Sequence, residues 1–123
     1  MKLHQNQSEA LNTVTAYDSG FIEVNAVRHE GGIYFMPEGP VMQWPATTLA
    51  DLNADIIAQL LSTQAEIVLL GTGEKQHFPK PDQIEPLIRA GRGYEVMSTS
   101  AACRTYNILM AEGRLVMAAL LPI

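Results

Sequence analysis

The chain has 123 residues, of which 47% are hydrophobic and 17% are charged, and this balance is typical of a globular protein. Its 8 Lys and Arg residues against 13 Asp and Glu residues give a formal net charge of −5, which argues against a nucleic-acid partner because phosphate backbones attract basic surfaces. The longest apolar run, residues 115–121, is far shorter than the ~20 residues of a membrane-spanning helix. We therefore expect a single domain over residues 1–123 that does not span a membrane.

The N-terminal segment and the cysteine content indicate a compartment and exclude some kinds of site. The first nine residues lack the basic start and apolar stretch of a secretory signal, which predicts a cytoplasmic location. Cys103 is the only cysteine, so we expect no internal disulfide and no cysteine-based zinc cluster. Because His4, His29 and His77 also lack a standard ligand spacing, we expect no metal and no other cofactor.

Short apolar runs separated by turn residues predict β-structure up to about Trp44. The Asp-Ser-Gly segment at residues 18–20 predicts one turn. The Glu-Gly-Gly segment at residues 30–32 predicts a tight hairpin, because paired glycines supply the positive φ that such a turn requires. A further strand over residues 41–44 ends at Pro45. The N-terminal third is therefore predicted to consist of antiparallel hairpins.

After Trp44 the apolar residues recur at helical spacing, which predicts a helix over residues 51–62. Residues 67–70 are apolar at every position, as in a strand that is buried on both faces. A helix, a strand, a second helix and a last strand are then predicted at residues 83–90, 94–97, 101–112 and 114–121. This alternation predicts an α/β fold with a mainly parallel sheet and an antiparallel hairpin layer added at the N-terminus.

Two polar segments, Gly71-Thr72-Gly73 and Ser98-Thr99-Ser100, directly follow predicted strands. Ligands of open α/β sheets bind at such strand ends. The backbone of a Gly-Thr-Gly turn can approach a ligand closely, and the helix that starts at Ala101 offers free amides and a partial positive charge. This pattern predicts a site for a small anion. The same residues could instead form a tight turn, a helix cap and a surface ion pair. The candidate ligand-binding residues are Gly71, Thr72, Gly73, Thr99 and Arg104.

Cys103 lies near the same helix start, where the helix dipole and Arg104 could lower the pKa of its thiol and create a nucleophile. Its small neighbours Ala101 and Ala102 favour a packing role instead, because free cysteines are often buried as small hydrophobic residues. No histidine stands in a recognisable pairing with Cys103 that would make it a base. Cys103 is thus a candidate reactive thiol, and burial is the favoured interpretation.

The six methionines allow two interpretations. They could fill gaps in the core, which is the more common role of this flexible side chain. If several lie at the surface with Trp44 and the C-terminal Leu-Pro-Ile segment at residues 121–123, they would form an adaptable apolar patch for a partner. The sequence leaves this choice open.

The segment EVMSTSAACRTYNILMAEGR, residues 95–114, resembles the signature of the Mth938-like family, also called the domain of unknown function 498. The Gly-Thr-Gly segment after a buried strand is similar to another hallmark of that family. The resemblance implies a three-layer fold with a central, mainly parallel four-stranded sheet, helices and an extra N-terminal hairpin. The family has no established catalytic residues, so the resemblance implies none here.

The resemblance also bears on function, because the family includes an assembly factor of mitochondrial respiratory complex I. It implies a non-enzymatic interaction or assembly protein with an unidentified protein partner, and this hypothesis predicts an exposed apolar patch. The alternative is a small-molecule anion-binding protein or an enzyme that uses the crevice at Gly71-Thr72-Gly73 and the helix start at Ala101. That alternative predicts a concave, electropositive pocket.

Overall fold

The computed structural model describes residues 11–123, and these residues form two β-sheets, three α-helices and two short 3-10 helices. The strands are β1 (Val14–Asp18), β2 (Phe21–Val24), β3 (Val27–Glu30), β4 (Ile33–Phe35), β5 (Met42–Gln43), β6 (Ile67–Gly71), β7 (Gly93–Met97) and β8 (Val116–Leu120). The α-helices are α1 (Ala54–Ala58), α2 (Glu85–Arg89) and α3 (Thr99–Ala111). The 3-10 helices, Leu49–Asp51 and Gln59–Ser62, lie on either side of α1.

The first sheet contains β1, β2 and β3 in that order, with antiparallel neighbours. The hairpin between β2 and β3 turns at Asn25 and Ala26, whose φ angles of 51° and 67° are both positive, as in a type I′ turn. The predicted hairpin at residues 30–32 is wrong, because β3 and β4 belong to different sheets. Gly32 is needed there for space, since a Cβ at this position would overlap the Trp44 indole.

The second sheet has the strand order β5-β4-β8-β6-β7. β6 is parallel to both β7 and β8, whereas β4 is antiparallel to β8 and to β5. The α/β class is therefore confirmed, but the sheet is mixed and five-stranded rather than mainly parallel and four-stranded. The helical crossovers through α2 and α3 make β6, β7 and β8 parallel. The N-terminal layer is a three-stranded sheet and not a single hairpin.

The predicted helix over residues 51–62 is three short helices, because the chain leaves helical geometry at Leu52, where ψ is 135°. Asp51 Oδ2 accepts hydrogen bonds from the Thr47 and Thr48 amides, each at 3.0 Å. Asn53 then caps α1 by accepting a hydrogen bond from the Ile56 amide at 2.9 Å. Because Asp51 and Asn53 each hold the start of a separate short helix, one continuous helix does not form.

Two clusters of buried apolar residues lie on opposite faces of the five-stranded sheet. α3 and the three-stranded sheet cover one face, where Leu69 packs in the same cluster as Ile22 and Tyr106. α1 and α2 cover the other face, where Leu70 packs in the cluster that contains Ile57 and Leu87. Because successive side chains of a strand point to opposite faces, this arrangement explains why β6 is apolar at every position.

Candidate functional site

The Gly-Thr-Gly segment lies where β6 ends beside the start of α3, and we call Gly71, Thr72, Gly73 and Thr99 the glycine corner. Thr99 is fully buried, and its Oγ1 accepts a hydrogen bond from the Gly73 amide at 2.8 Å. The same hydroxyl donates to the Leu121 carbonyl at 2.7 Å. The Thr99 amide in turn donates to the Gly73 carbonyl at 2.8 Å. One side chain therefore joins the ends of β6 and β8 to the start of α3.

Gly71 allows this close approach because it has no side chain. A Cβ at this position would lie 2.9 Å from both the Cα and the Oγ1 of Thr99, which is closer than real Cβ contacts come. The Leu121 amide donates to the Gly71 carbonyl at 2.9 Å. The glycine at this position thus serves the packing of three elements against one another.

Thr72 holds the loop that follows the glycine corner in place through hydrogen bonds. Its amide donates to the Met97 carbonyl at 2.9 Å, and its Oγ1 donates to the Lys75 carbonyl at 2.7 Å. The same oxygen accepts from the His77 amide at 3.0 Å. The structure thus brings Gly71, Thr72, Gly73 and Thr99 together as predicted, but these polar groups are paired within the protein.

Arg104 is exposed, and its Nη1 donates a hydrogen bond to Tyr17 Oη on β1 at 3.0 Å. The guanidinium thus extends toward the three-stranded sheet. The turn that follows β1 also lies near the C-terminal residues, since the Gly20 amide donates to the Ile123 carbonyl at 3.3 Å. Anion binding by the glycine corner together with Arg104 stays a prediction.

Cys103 is fully buried on α3. Burial raises the pKa of its thiol from 9.0 to about 12, and the positive charge of Arg104 opposes this shift only in part. A thiol with a raised pKa stays protonated at neutral pH and is a weak nucleophile. The favoured interpretation of Cys103 as a packing residue agrees with this environment. No three His, Cys, Asp or Glu residues of the described chain cluster closely enough to hold a metal ion.

The sequence interpretation missed two polar residues of α3 that hold the protein together. Tyr106 is fully buried and its Oη donates to the Asn12 carbonyl at 2.7 Å. Asn107 makes two hydrogen bonds with the backbone of Val14. Its Nδ2 donates to the Val14 carbonyl at 2.9 Å, and its Oδ1 accepts from the Val14 amide at 3.0 Å. A helical projection gives one signal, because Tyr106 follows the buried Cys103 by three residues and the buried Thr99 by seven, so all three lie on one helix face.

Asn12, which Tyr106 contacts, also binds the segment after β4. Its Nδ2 donates to the Met36 carbonyl at 2.7 Å and to the Gly39 carbonyl at 2.9 Å. Its amide donates to the Pro37 carbonyl at 2.7 Å. The segment over residues 36–39 is therefore held by one buried asparagine, which is itself held by Tyr106.

Met36 and Glu38 of that segment line two hollows at the surface, of about 540 and 240 Å³, so the segment forms a wall that the two hollows share. Both hollows are lined by Met36, Glu38 and Thr63. We call their union the methionine groove, because four methionines line it: Met36 and Met110 in the larger hollow, and Met36, Met42 and Met117 in the smaller one. The remaining apolar lining includes Leu11, Pro37 and Leu115 in the larger hollow, and Tyr34, Phe35 and Pro40 in the smaller one.

The methionines thus divide between the two roles that the sequence left open. Met117 is fully buried in the core, whereas Met42 is 44% exposed. The patch that was considered with Trp44 and Leu121 is not formed, because both residues are buried. The Trp44 indole Nε1–H donates to the Leu120 carbonyl at 3.2 Å, which fixes the ring inside the fold. Of the four methionines of the groove, Met42 is exposed and Met36 is half-buried, whereas Met110 and Met117 are buried.

None of the helices in residues 11–123 combines the length and the apolar composition required to cross a membrane.

Known proteins with similar sequences and structures agree with this architecture. The crystal structure of a protein from Bordetella parapertussis has a TM-score of 0.87 and 54% sequence identity, covering 93% of this chain and 98% of that chain. The solution NMR structure of a Bordetella pertussis protein, described as a Mth938-like domain, has a TM-score of 0.75 and 45% identity, covering 92% of this chain and 87% of that chain.

A longer relative has a functional name. The NADH dehydrogenase (ubiquinone) 1 alpha subcomplex assembly factor 3 of Xenopus tropicalis is 29% identical over 123 residues, which cover 98% of this chain and 66% of that protein. This chain thus spans slightly less than two thirds of that relative's length. The family model described as "Protein of unknown function (DUF498/DUF598)" matches residues 14–121, and the resemblance noted in the sequence is confirmed. The chain belongs to the DUF498/DUF598 family and is similar to Mth938-like domains.

Proposed function

We propose that this protein is a non-enzymatic interaction protein that assists the assembly of a multi-subunit complex, and that this complex is a respiratory NADH dehydrogenase. The name of the Xenopus tropicalis relative supports the choice of complex, because its similarity to this chain extends over 98% of the chain. The structural observation that carries the proposal is the methionine groove. The exposed Met42 and the half-buried Met36 of this groove can adapt to the side chains of a partner, because methionine is unbranched, flexible and polarisable.

The signature residues of α3 support this proposal through the contacts they make. Thr99, Tyr106 and Asn107 direct their polar atoms to the backbone of Leu121, Asn12 and Val14. Their role is to hold elements together, and one of these contacts leads through Asn12 to the wall of the methionine groove. One residue of the family signature, Tyr106, therefore helps to fix the wall of the groove.

A gene deletion in the organism that encodes this chain tests the proposal. We expect the deletion strain to contain less assembled NADH dehydrogenase on native gels, and its membranes to oxidise NADH more slowly. Expression of the wild-type protein should restore both. An unchanged amount of assembled enzyme in the deletion strain would contradict the proposed function.

Two double variants then connect the phenotype to the groove. Met42→Ser with Leu115→Ser removes two partly exposed apolar side chains of the groove and should fail to restore assembly. Phe78→Ser with Ile88→Ser removes two exposed apolar side chains that do not line the groove and should restore it. Thermal melting of both purified variants checks that the fold is intact.

A further inference from the structure

We infer that Gln76 acts as an edge cap, which keeps the free edge of β7 from pairing with the β7 strand of a second copy of this chain. Thr72 holds this cap in position, and the charge of Glu95 opposes the same pairing. The inference goes beyond the proposed function, because β7 lies at the opposite edge of the five-stranded sheet from β5, the strand that contributes Met42 to the methionine groove.

The two edge strands of the five-stranded sheet, β5 and β7, differ in how open they are. β5 is two residues long and is followed closely by Pro45, which has no amide hydrogen to donate. β7 has five residues without a proline, and within residues 11–123 it pairs only with β6. A free edge of this length offers unpaired backbone groups to another strand. β7 is therefore the edge of this sheet that needs protection.

The backbone groups at the free edge of β7 belong to Tyr94 and Val96. The Met97 carbonyl accepts a hydrogen bond from the Thr72 amide at 2.9 Å, so Met97 faces β6. Alternate residues of a parallel strand turn their N–H and C=O groups toward the same neighbour. Tyr94 and Val96 therefore face away from β6, and a further strand would bond to their two amides and two carbonyls.

Gln76 already occupies one of these four positions. Its Nε2 donates a hydrogen bond to the Val96 carbonyl at 3.0 Å, where the backbone amide of an added strand would donate. Thr72 fixes the chain on both sides of this glutamine, because its Oγ1 donates to the Lys75 carbonyl at 2.7 Å and accepts from the His77 amide at 3.0 Å. An incoming strand must therefore displace a side chain that the glycine corner holds in place.

Glu95 opposes the same pairing by its charge. If two copies pair through both outward-facing residues, Tyr94 of each copy lies opposite Val96 of the other in an antiparallel ladder. The two-fold axis then passes between the two strands at Glu95, so the two exposed carboxylates lie directly opposite each other. Like charges in this arrangement destabilise a sheet. The cap and the charge thus act against one and the same dimer.

Sedimentation velocity measures the self-association, and amide hydrogen exchange of Tyr94 and Val96 locates it at β7. The wild type should remain monomeric at millimolar protein, and both amides should exchange rapidly. The Gln76→Ala, Glu95→Gln double variant should form dimers in which protection of both amides rises with concentration. Its dimer dissociation constant should lie at least about tenfold below that of the wild type, because two caps and one repulsive pair are removed.

Two further comparisons separate the cap from a general effect of substitution. Gln59→Ala with Glu112→Gln makes the same changes at exposed positions outside β7 and should remain monomeric. Thr72→Val with Glu95→Gln keeps Gln76 but removes the hydroxyl that fixes its loop, so it should dimerise as well. Thr72→Ser with Glu95→Gln keeps the hydroxyl and should behave like Glu95→Gln alone. Thermal melting checks that each variant is folded at the temperature of the measurement.

Three results would overturn the inference. The first is a Gln76→Ala, Glu95→Gln variant that stays monomeric at millimolar protein and exchanges its β7 amides as fast as the wild type. The second is a wild type that already dimerises with protected Tyr94 and Val96 amides, since its β7 edge would then be an interface. The third is equal dimerisation of the Gln59→Ala, Glu112→Gln control, which would attribute the effect to the lower net charge.

Discussion

Asn107 in α3 pairs its side-chain amide with both backbone polar groups of Val14 in β1, which lies 93 residues earlier in the chain. Its Oδ1 accepts from the Val14 amide at 3.0 Å, and its Nδ2 donates to the Val14 carbonyl at 2.9 Å. Paired residues of antiparallel strands exchange two hydrogen bonds in the same way. Since β1 is an edge strand of the three-stranded sheet, the asparagine takes the place of a missing neighbour and attaches α3 to that sheet.

Replacement of Asn107 by Leu should lower the free energy of unfolding by about 2 kcal/mol, because it leaves a partly buried N–H and C=O without partners. Asn107→Asp keeps the acceptor for the Val14 amide but places a carboxylate beside its carbonyl, so it should also destabilise the protein. The measurement is urea unfolding followed by circular dichroism. The neighbouring Ile108 is exposed, and Ile108→Ala should change stability by less than about 0.5 kcal/mol. Equal losses in Asn107→Leu and Ile108→Ala would contradict the role assigned to the amide.

Thr99→Val tests the structural role of the glycine corner. Valine has nearly the same shape as threonine but lacks the hydroxyl, so the Gly73 amide and the Leu121 carbonyl lose a partner at a fully buried position. We expect a loss of about 2 to 6 kcal/mol, since two buried groups lose their partner and each unpaired buried group costs about 1 to 3 kcal/mol. Hydrogen exchange of the Gly73 amide should accelerate as well.

The matched control for this prediction is Thr105→Val on the same helix. Thr105 is partly exposed, so its replacement should change stability by less than about 0.5 kcal/mol. If the two valine variants unfold at the same urea concentration, the hydrogen bonds of Thr99 do not hold the corner together.

The elements that the sequence predicted well are those with strong periodicity. The apolar run at residues 67–70 and the helix at 101–112 correspond to β6 and α3, which the structure places at Ile67–Gly71 and Thr99–Ala111. The hairpin at Asn25 and Ala26 was missed because its positive φ angles occur without glycine. The Gly31-Gly32 pair was misassigned because the space beside Trp44, and not a hairpin, requires Gly32.

The candidate site was predictable only where it is local in sequence. Gly71, Thr72 and Gly73 follow a strand, and Thr99 begins a helix, so the rule about strand ends brings them together correctly. The contacts of Tyr106 and Asn107 span 94 and 93 residues, and no local pattern indicates which backbone groups they meet. The methionine groove was not predicted, since it is built from segments that only the complete fold brings together.

Arg104→Ala tests the anion-binding alternative. If the glycine corner and Arg104 bind a small anion, phosphate or a carboxylate should raise the melting temperature of the wild type, and this rise should disappear in the variant. Arg89→Ala is the matched control, because Arg89 is also exposed on a helix but pairs with Glu85. A rise that persists in Arg104→Ala would remove this arginine from the site. No rise at millimolar anion would leave the corner with the structural role that its internal hydrogen bonds already show.

Cys103 should make the stability of the protein fall at alkaline pH. Burial raises the pKa of its thiol to about 12 in the folded protein, against an ordinary value of 9.0. Below pH 9 the thiol is neutral in both states, so its burial is favourable. As pH rises from 9 toward 12, only the unfolded chain forms the thiolate, so the unfolded state binds fewer protons and stability declines. The pKa of Tyr106 is also raised by burial, which acts in the same direction.

The Cys103→Ala variant isolates the thiol contribution from that of Tyr106. In urea unfolding between pH 8 and 10.5, stability of the wild type should decline more steeply than that of the variant, by up to about 1 kcal/mol per pH unit. Iodoacetamide should label native Cys103 slowly at neutral pH and label the urea-unfolded chain at the rate of an ordinary thiol. Fast labelling of the native protein with an apparent pKa below that of a free thiol would contradict the assignment of Cys103 to the core, and it would favour the enzyme alternative.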